Sequence, residues 1–311
     1  MPSGERVTGV FVGLATLDVV HRVDAQPGPN QKVTARAQYV AAGGPAANAA
    51  VTFAGLGGHA LLVTALGRDP LADLIRADLG AWGVTVVDVA PDQDVCPPVS
   101  AVAVTISTGD RSVVSTDGAA TDVEPPPDLR DVVERGGVVL IDGHHPRLAI
   151  AAAEAAAAAG IHVVVDAGRW KPVMAGLIPL AGAMVCSSDF RVPGLTDSDA
   201  TARALVAAGV DTVITTQGGD PVLWWHGGGA GSVPVPPVVP VDTLGAGDVF
   251  HGAYCYFSRS APPAGHAERD LPAVLSSAAR VAALRCSIVG PRAWLTLLAA
   301  DPTQESDTWT S

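Results

Sequence analysis

Lysine is nearly absent from this chain: Lys32 and Lys171 are the only two among 311 residues. Lysine and arginine together number 19 against 31 aspartates and glutamates, for a formal charge of −12. A surface this acidic repels a phosphate backbone, so charge excludes nucleic acid as a partner. Any anionic ligand has to be held locally, by backbone amides, a bound cation and a few placed basic side chains. Long apolar runs are missing too. No stretch reaches the ~20 residues of a membrane span, and Glu154 interrupts the alanine run at 149–159. The first twenty residues have neither the basic start nor the apolar centre of a secretory leader. Cysteine is scarce: Cys96, Cys186, Cys255 and Cys286 show no paired spacing. That argues against a disulfide framework or a zinc motif and for buried thiols in a cytoplasmic protein.

What is present is a core-rich globular composition, 48% hydrophobic, with 34 glycines and 25 prolines that punctuate the chain rather than cluster. Short β-branched runs at 7–12, 60–65, 84–89, 138–142, 162–166, 183–186 and 212–216 alternate with alanine-rich helical stretches at 45–55, 70–82, 148–159 and 201–208. This alternation predicts an α/β fold, a parallel sheet flanked by helices. Pro45 and Pro70 stand at helix starts, where a missing N–H costs nothing. Two regions break the rhythm. Residues 18–40 and 99–115 read as strands without helices between them, which predicts a small sheet folded over one edge as a lid. Residues 227–240 read as a glycine turn and an extended proline-rich stretch, and 301–311 as a frayed polar tail. The whole, 1–311, is expected to form one domain with the lid inserted in it.

The segment from Val241 to Tyr254 carries the chemistry. Phe250, Tyr254 and Phe257 recur at helical spacing after Asp248, so Gly245, Ala246 and Gly247 form a small-residue loop opening a helix. The first amides of a helix are unpaired and partly positive, and glycine lets a phosphate approach them closely. A carboxylate at the mouth of such an anion hole can serve as a base in phosphoryl transfer. Taken alone, Asp248 could equally be a helix cap.

It does not stand alone. Asp242, Thr243, Gly245, Ala246, Gly247, Asp248 and Phe250 reproduce without mismatch the D-T-x-G-A-G-D-x-F signature of the PfkB carbohydrate-kinase family. Gly43, Gly44 and Asn48 match its N-terminal G-G-x-x-x-N stretch, roughly 195 positions earlier. The chain therefore resembles that family, nearest in motif to its ketohexokinase-like and sulfofructose-kinase-like members. The resemblance implies a ribokinase-like, Rossmann-type central parallel sheet with a small β-sheet lid. It also implies ATP and Mg²⁺ as cofactors and a sugar-like small molecule as acceptor. Asp248 is then the base and Gly245, Ala246 and Gly247 the anion hole. Asp18, Gly43, Gly44 and Asn48 line the sugar pocket, although Asn48 at a helix start could instead be a cap. Thr243, Ser187, Gln217, Gly218 and Gly219 border ATP, and Asp242 takes the place of a ligand for a monovalent cation such as K⁺. Lids of this kind pair into homodimers.

The chain departs from the family in one place. The N-x-x-E pattern that many members carry is replaced by Ser187, Ser188, Asp189 and Phe190, which puts the residues holding Mg²⁺ in doubt. Arg169 and Lys171 follow a strand-end Asp166 and either reach ATP phosphates or are solvated. His144 and His145 read as loop or pocket residues rather than metal ligands. Lys32 in the lid either is surface or meets an anionic group of the substrate. Alongside the carbohydrate kinase stand two alternatives. One is a nucleoside kinase, which would want an aromatic clamp in a lid that offers only His21 and Tyr39. The other is a non-catalytic sugar sensor, which would need neither Asp248 nor the anion hole. A neutral ketose and an anionic sugar are both compatible with these residues; the resemblance to sulfofructose-kinase-like members puts the anionic sugar slightly ahead, met by Lys32, Arg36 and Arg111.

Overall fold

The computed structural model describes residues 6–116, 123–259 and 270–300. In chain order its elements are β1 (Thr8–Val12), β2 (Thr16–Val23), β3 (Ala37–Gly43), α1 (Pro45–Gly55), β4 (His59–Thr64), α2 (Pro70–Ala81), β5 (Val84–Asp88), β6 (Val99–Thr105), β7 (Arg111–Val114), α3 (Leu129–Val133), β8 (Val138–Ile141), α4 (Pro146–Ala158), β9 (His162–Ala167), α5 (Met174–Leu177), β10 (Ala183–Ser187), α6 (Ser198–Ala207), β11 (Thr212–Gln217), β12 (Asp220–His226), β13 (Gly229–Val233), α7 (Ala246–Arg259), α8 (Leu271–Ser287) and α9 (Leu295–Ala300).

Nine strands form the large sheet in the order β13-β12-β11-β10-β9-β8-β1-β4-β5. It is parallel from β5 to β11; β12 then runs antiparallel to β11, and β13 antiparallel to β12. The period-2 alternation of a strand explains its two cores. Phe11, Leu62, Leu140 and Val185 face one side, against α1, α2, α7 and α8. Val10, Val12, Val139 and Ile141 face the other, against α4 and α6. The chain steps outward from β1 to β4 and β5, then returns to build β8 through β11 on the opposite flank. The strand order therefore reverses between β1 and β8. Open α/β sheets hold ligands at the carboxyl edge of such a switch point.

The second sheet has the order β3-β2-β6-β7. Its strands run from Thr16 to Gly43 and from Val99 to Val114, against the 18–40 and 99–115 read from sequence. Val20, Val102 and Val104 form its inner face and pack with Leu244, just ahead of α7.

Two features differ from the sequence reading. Helix α4 begins at Pro146 rather than at 148, because His145 takes a left-handed conformation (φ 55°) that turns the chain off β8. Residues 229–233, read as turn and extended chain, form strand β13 paired with β12. The stretch 301–311 lies outside the described residues.

Candidate active site

Four elements meet at the carboxyl edge of the large sheet. Helix α7 opens at Ala246 and carries Asp248 in its first turn. Gly245, just before it, has φ 73°, and a Cβ there would stand 3.4 Å from the Asn48 amide and 3.6 Å from an Asp248 oxygen. Glycine is needed here for the turn, since those two contacts would be ordinary ones but the positive φ is rarely adopted by a residue with a Cβ. At Gly247 a Cβ would meet nothing within 4 Å, so this face of the loop opens outward. The Ala246 amide makes only a long 3.3 Å bond to the Thr243 carbonyl.

Asp248 sits within a network. Asn48, on α1, donates from Nδ2 to Asp248 Oδ2 at 2.9 Å. Its side chain is therefore neither the cap of α1 nor confined to the sugar pocket: it touches the carboxylate itself. Arg292, unnoticed in the sequence, decides which way the Asn48 amide points. Its Nη1 donates to Asn48 Oδ1 at 3.2 Å, leaving the NH₂ end for Asp248. Arg292 is in turn held by Asp78 Oδ2 (2.9 Å) and the Ala42 carbonyl (2.7 Å). On the sheet side, His251 Nδ1 lies 3.1 Å from Asp166 Oδ2, and ligand atoms of Asp166, Asp248 and His251 all fall within 4.8 Å of one another. Burial and then the Asp166 carboxylate push Asp248 up to about 6, against the pull of Asn48 and His251. Burial alone would lower His251, but Asp166 and Asp248 outweigh it and raise it. An aspartate poised near neutrality beside a cleft is what a general base requires.

The three groups do not suit magnesium, which prefers an octahedral set of oxygens and several retained waters. His251 is committed to Asp166, and Mg²⁺ is better carried on nucleotide phosphates.

The other end of the cleft belongs to Asp18, on β2 and 9% exposed. Thr16 donates to its Oδ1 at 2.6 Å, and burial raises its carboxyl against the pull of Thr16, Ser100 and Arg292. A Cβ on Gly43 would fall 2.1 Å from Asp18 Oδ2, and one on Gly44 (φ 95°) would fall 2.3 Å from the Leu14 carbonyl. The paired glycines are thus what lets the carboxylate and the start of α1 share this space. Asp18, Asn48, Gly245, Val249 and Arg292 line one cleft. Asp142, just past β8, ties the loop after β1 to the start of α1: Oδ2 accepts from the Leu14 (2.8 Å) and Ala46 (3.2 Å) amides, and His144 Nδ1 lies 3.1 Å from Oδ1. Burial would raise this carboxyl, but His144, Lys171 and the Leu14 amide hold it well below the ordinary range. Lys171 donates to the Asp142 carbonyl at 2.9 Å.

Other residues singled out in the sequence lie further along the edge or away from it. Ser187 ends β10 and donates to the Gly168 carbonyl, and Gln217 ends β11 with its amide turned to the Pro221 carbonyl. Gly218 and Gly219 make the turn into β12, with open space where a Cβ would point. Thr243 accepts from Arg111 at 2.9 Å and donates to the Gly109 carbonyl, which docks the small sheet beside the loop. Arg36 pairs with Asp24, and Lys32 is exposed on the connection from β2 to β3, outside the cleft lining. Asp242, read as a cation ligand, already accepts from the Leu244 and Gly290 amides and faces the Arg285 guanidinium. Arg292, His251 and Arg285 escaped the sequence reading because each acts through a partner distant in the chain. Only His251, three residues past Asp248, stands where a motif could have flagged it.

Residues 9–296 match the model of the pfkB family carbohydrate kinases. The chain is 28% identical over 280 residues to the ribokinase of Bacillus subtilis, covering 88% of this chain and 90% of that one. It is 28% identical over 268 residues to the deoxyribokinase of Salmonella typhi, covering 79% and 84%. The structure of Arabidopsis thaliana ribokinase complexed with ribose and ATP superposes with a TM-score of 0.74 at 22% identity, over 94% of this chain and 98% of that one.

Proposed function

The chain belongs to the pfkB family of carbohydrate kinases, and from that premise we propose that it phosphorylates a small neutral sugar, with Asp248 as the base. That it is an ATP-dependent sugar kinase follows from the family and its ribokinase relatives. The observation that carries the finer reading is one cleft lined by Asp18, Asn48 and Gly245, with Asp248 hydrogen-bonded to the Asn48 amide beside it. Asp18, buried and ionisable, accepts hydrogen bonds from sugar hydroxyls at one end. Asp248 takes the proton of the attacked hydroxyl at the other. The first amides of α7 face the phosphoryl group, adding electrostatic stabilisation as its charge develops. Mg²⁺ accompanying ATP would supply further neutralisation of that charge. ATP lies along the strand ends from Thr243 past Ser187 toward Gln217, Gly218 and Gly219.

A neutral acceptor fits better than an anionic one because the nearby cations are committed. Arg292 serves Asp78 and Asn48, Arg36 serves Asp24, and Arg111 serves Thr243. An anionic head group would be buried with no free partner among these three, which is costly. Among the described residues, the small sheet offers a nucleoside no pair of rings on one face. Tyr39 stands opposite Val20 across the strands, so it shares Val20's inner face, while the neighbouring His21 points to the outer one. The small sheet acts as the lid, and its outer face, where Val40 and Val114 are exposed, pairs with a second copy of the chain.

The test is ATP turnover against pentoses, ketoses, sugar phosphates, sulfosugars and nucleosides, followed by Asp18→Ala on the best acceptor. The variant should raise KM for the sugar far more than for ATP, since a charge-assisted hydrogen bond is worth about 1.5–3 kcal/mol. A phosphorylated or sulfonated sugar emerging as best acceptor, with Lys32→Ala weakening its binding, would overturn the neutral assignment.

A further inference from the structure

Three oxygens converge behind the anion hole: one carboxylate oxygen of Asp242, the main-chain carbonyl of Asp242, and that of Ile288. A guanidinium fills the space between them. Arg285 Nη2 lies 3.2 Å from Asp242 Oδ1, and Nη1 donates to the Asp242 carbonyl at 3.2 Å and to the Ile288 carbonyl at 3.1 Å. Both side chains are almost wholly buried, each residue being 2% exposed. Asp242 also accepts from the Leu244 amide on Oδ1 and from the Gly290 amide on Oδ2, both at 3.1 Å.

A carboxylate and two carbonyls around one point are the oxygen-only donor set that hard cations choose. The place is also electrically suited to a cation, because Arg285 lies in the last turn of the 17-residue helix α8, at the negative end of its dipole. A free alkali ion does not fit beside the guanidinium, since two positive charges would compete for the same oxygens at low dielectric. An arginine stays protonated even when buried, so the charge is permanent.

We propose that Arg285 is a built-in monovalent cation: it holds the segment from Asp242 to Gly245 in the shape that presents the α7 amides, and makes the enzyme independent of potassium. The segment is otherwise tied to α8 by the Val241 and Asp242 amides, which both donate to the Cys286 carbonyl. Arg285 also borders the cleft, so its charge adds to the positive potential met by the phosphates. It is a positioning residue, acting through Asp242 and the loop. Its effect on turnover rests on the kinase reading, but its effect on the fold does not.

The experiment uses the full chain, dialysed into choline chloride and titrated with KCl at constant ionic strength, with melting temperature and ATP turnover read in parallel. For the wild type, the melting temperature should stay flat and turnover should change by less than about twofold, because a ligand with no site shifts no equilibrium. Arg285→Ala should melt lower and lose turnover. It should then regain part of both with KCl or millimolar methylguanidinium, whereas Arg285→Lys should remain indifferent to potassium. A wild type that melts higher or turns over severalfold faster in KCl than in choline overturns the proposal, even if Arg285→Ala fails to fold. If no sugar is phosphorylated at all, the kinase reading fails while the melting data still decide the cation site.

Discussion

Asp248 shows how a single carboxyl can be both useful and costly. Its pKa, pushed up to about 6 by burial and Asp166, places the proposed base near its working range but leaves a charge in a poor medium. Because the folded-state value exceeds the ordinary 3.8, the fold favours the protonated form. Stability from this carboxyl is fully present below about pH 4 and is lost as pH rises through about 6. Asp248→Asn should therefore lower kcat by roughly 10²–10⁴ while raising the melting temperature at neutral pH, since the amide removes the buried charge and still accepts from Asn48. Wild-type kcat/KM should fall on the acid side with a limb near pH 6. His251→Asn should move that limb upward, because Asp166 would then face the base without its imidazolium, and Asp166→Asn should move it downward. A limb that ignores both substitutions would separate the pair from the base. Asp248 was legible because its motif is contiguous. Arg292 was not, because it reaches Asn48 across 244 positions of chain and carries no local signature.

Among the elements, the parallel strands and their helices were readable because each carries its own periodicity and its own stops. β13 was not: it is a GAGSV run with almost no apolar pattern, and it exists because β12 offers an edge to pair with. The packing of α7 on α1 was equally hidden. Gly252, which follows the signature by two residues, lies where a Cβ would come 2.2 Å from the Ala49 carbonyl and 2.8 Å from Thr52 Cβ. This close approach brings Asn48 of one helix to Asp248 of the other. Gly252→Ala should force the helices apart at a cost of about 1–3 kcal/mol and lengthen the Asn48–Asp248 contact. The expected outcome is a lower melting temperature together with a kcat loss larger than the fraction unfolded explains. Unchanged kcat in a folded, destabilised variant would mean that the base does not depend on the contact.

At the scale of the whole molecule, the small sheet has two unlike faces. The inner face packs Val20, Val102 and Val104 toward Leu244, while Arg22 donates to the Val241 carbonyl at 3.0 Å. The outer face carries a cross-strand row of Val40, Val19, Ala101 and Val114. Its two ends are 50% and 75% exposed. An apolar row across four strands, left in water, is the mark of a surface that pairs, and β7 adds an edge whose four residues are all exposed. The lid's apolar alternation was visible in the sequence, but not which face would be covered, because that depends on how the sheet docks on the body. Dimerisation through this row predicts a sedimenting mass of twice 31.4 kDa. Val40→Glu combined with Val114→Glu should yield a folded monomer, since neither side chain belongs to a core. If the second copy also steadies the lid over the cleft, that monomer should show a raised KM for the sugar and a nearly unchanged KM for ATP. Wild-type protein that sediments as a monomer at micromolar concentration would leave the row as exposed lid surface, and the lid would then have to close without a partner.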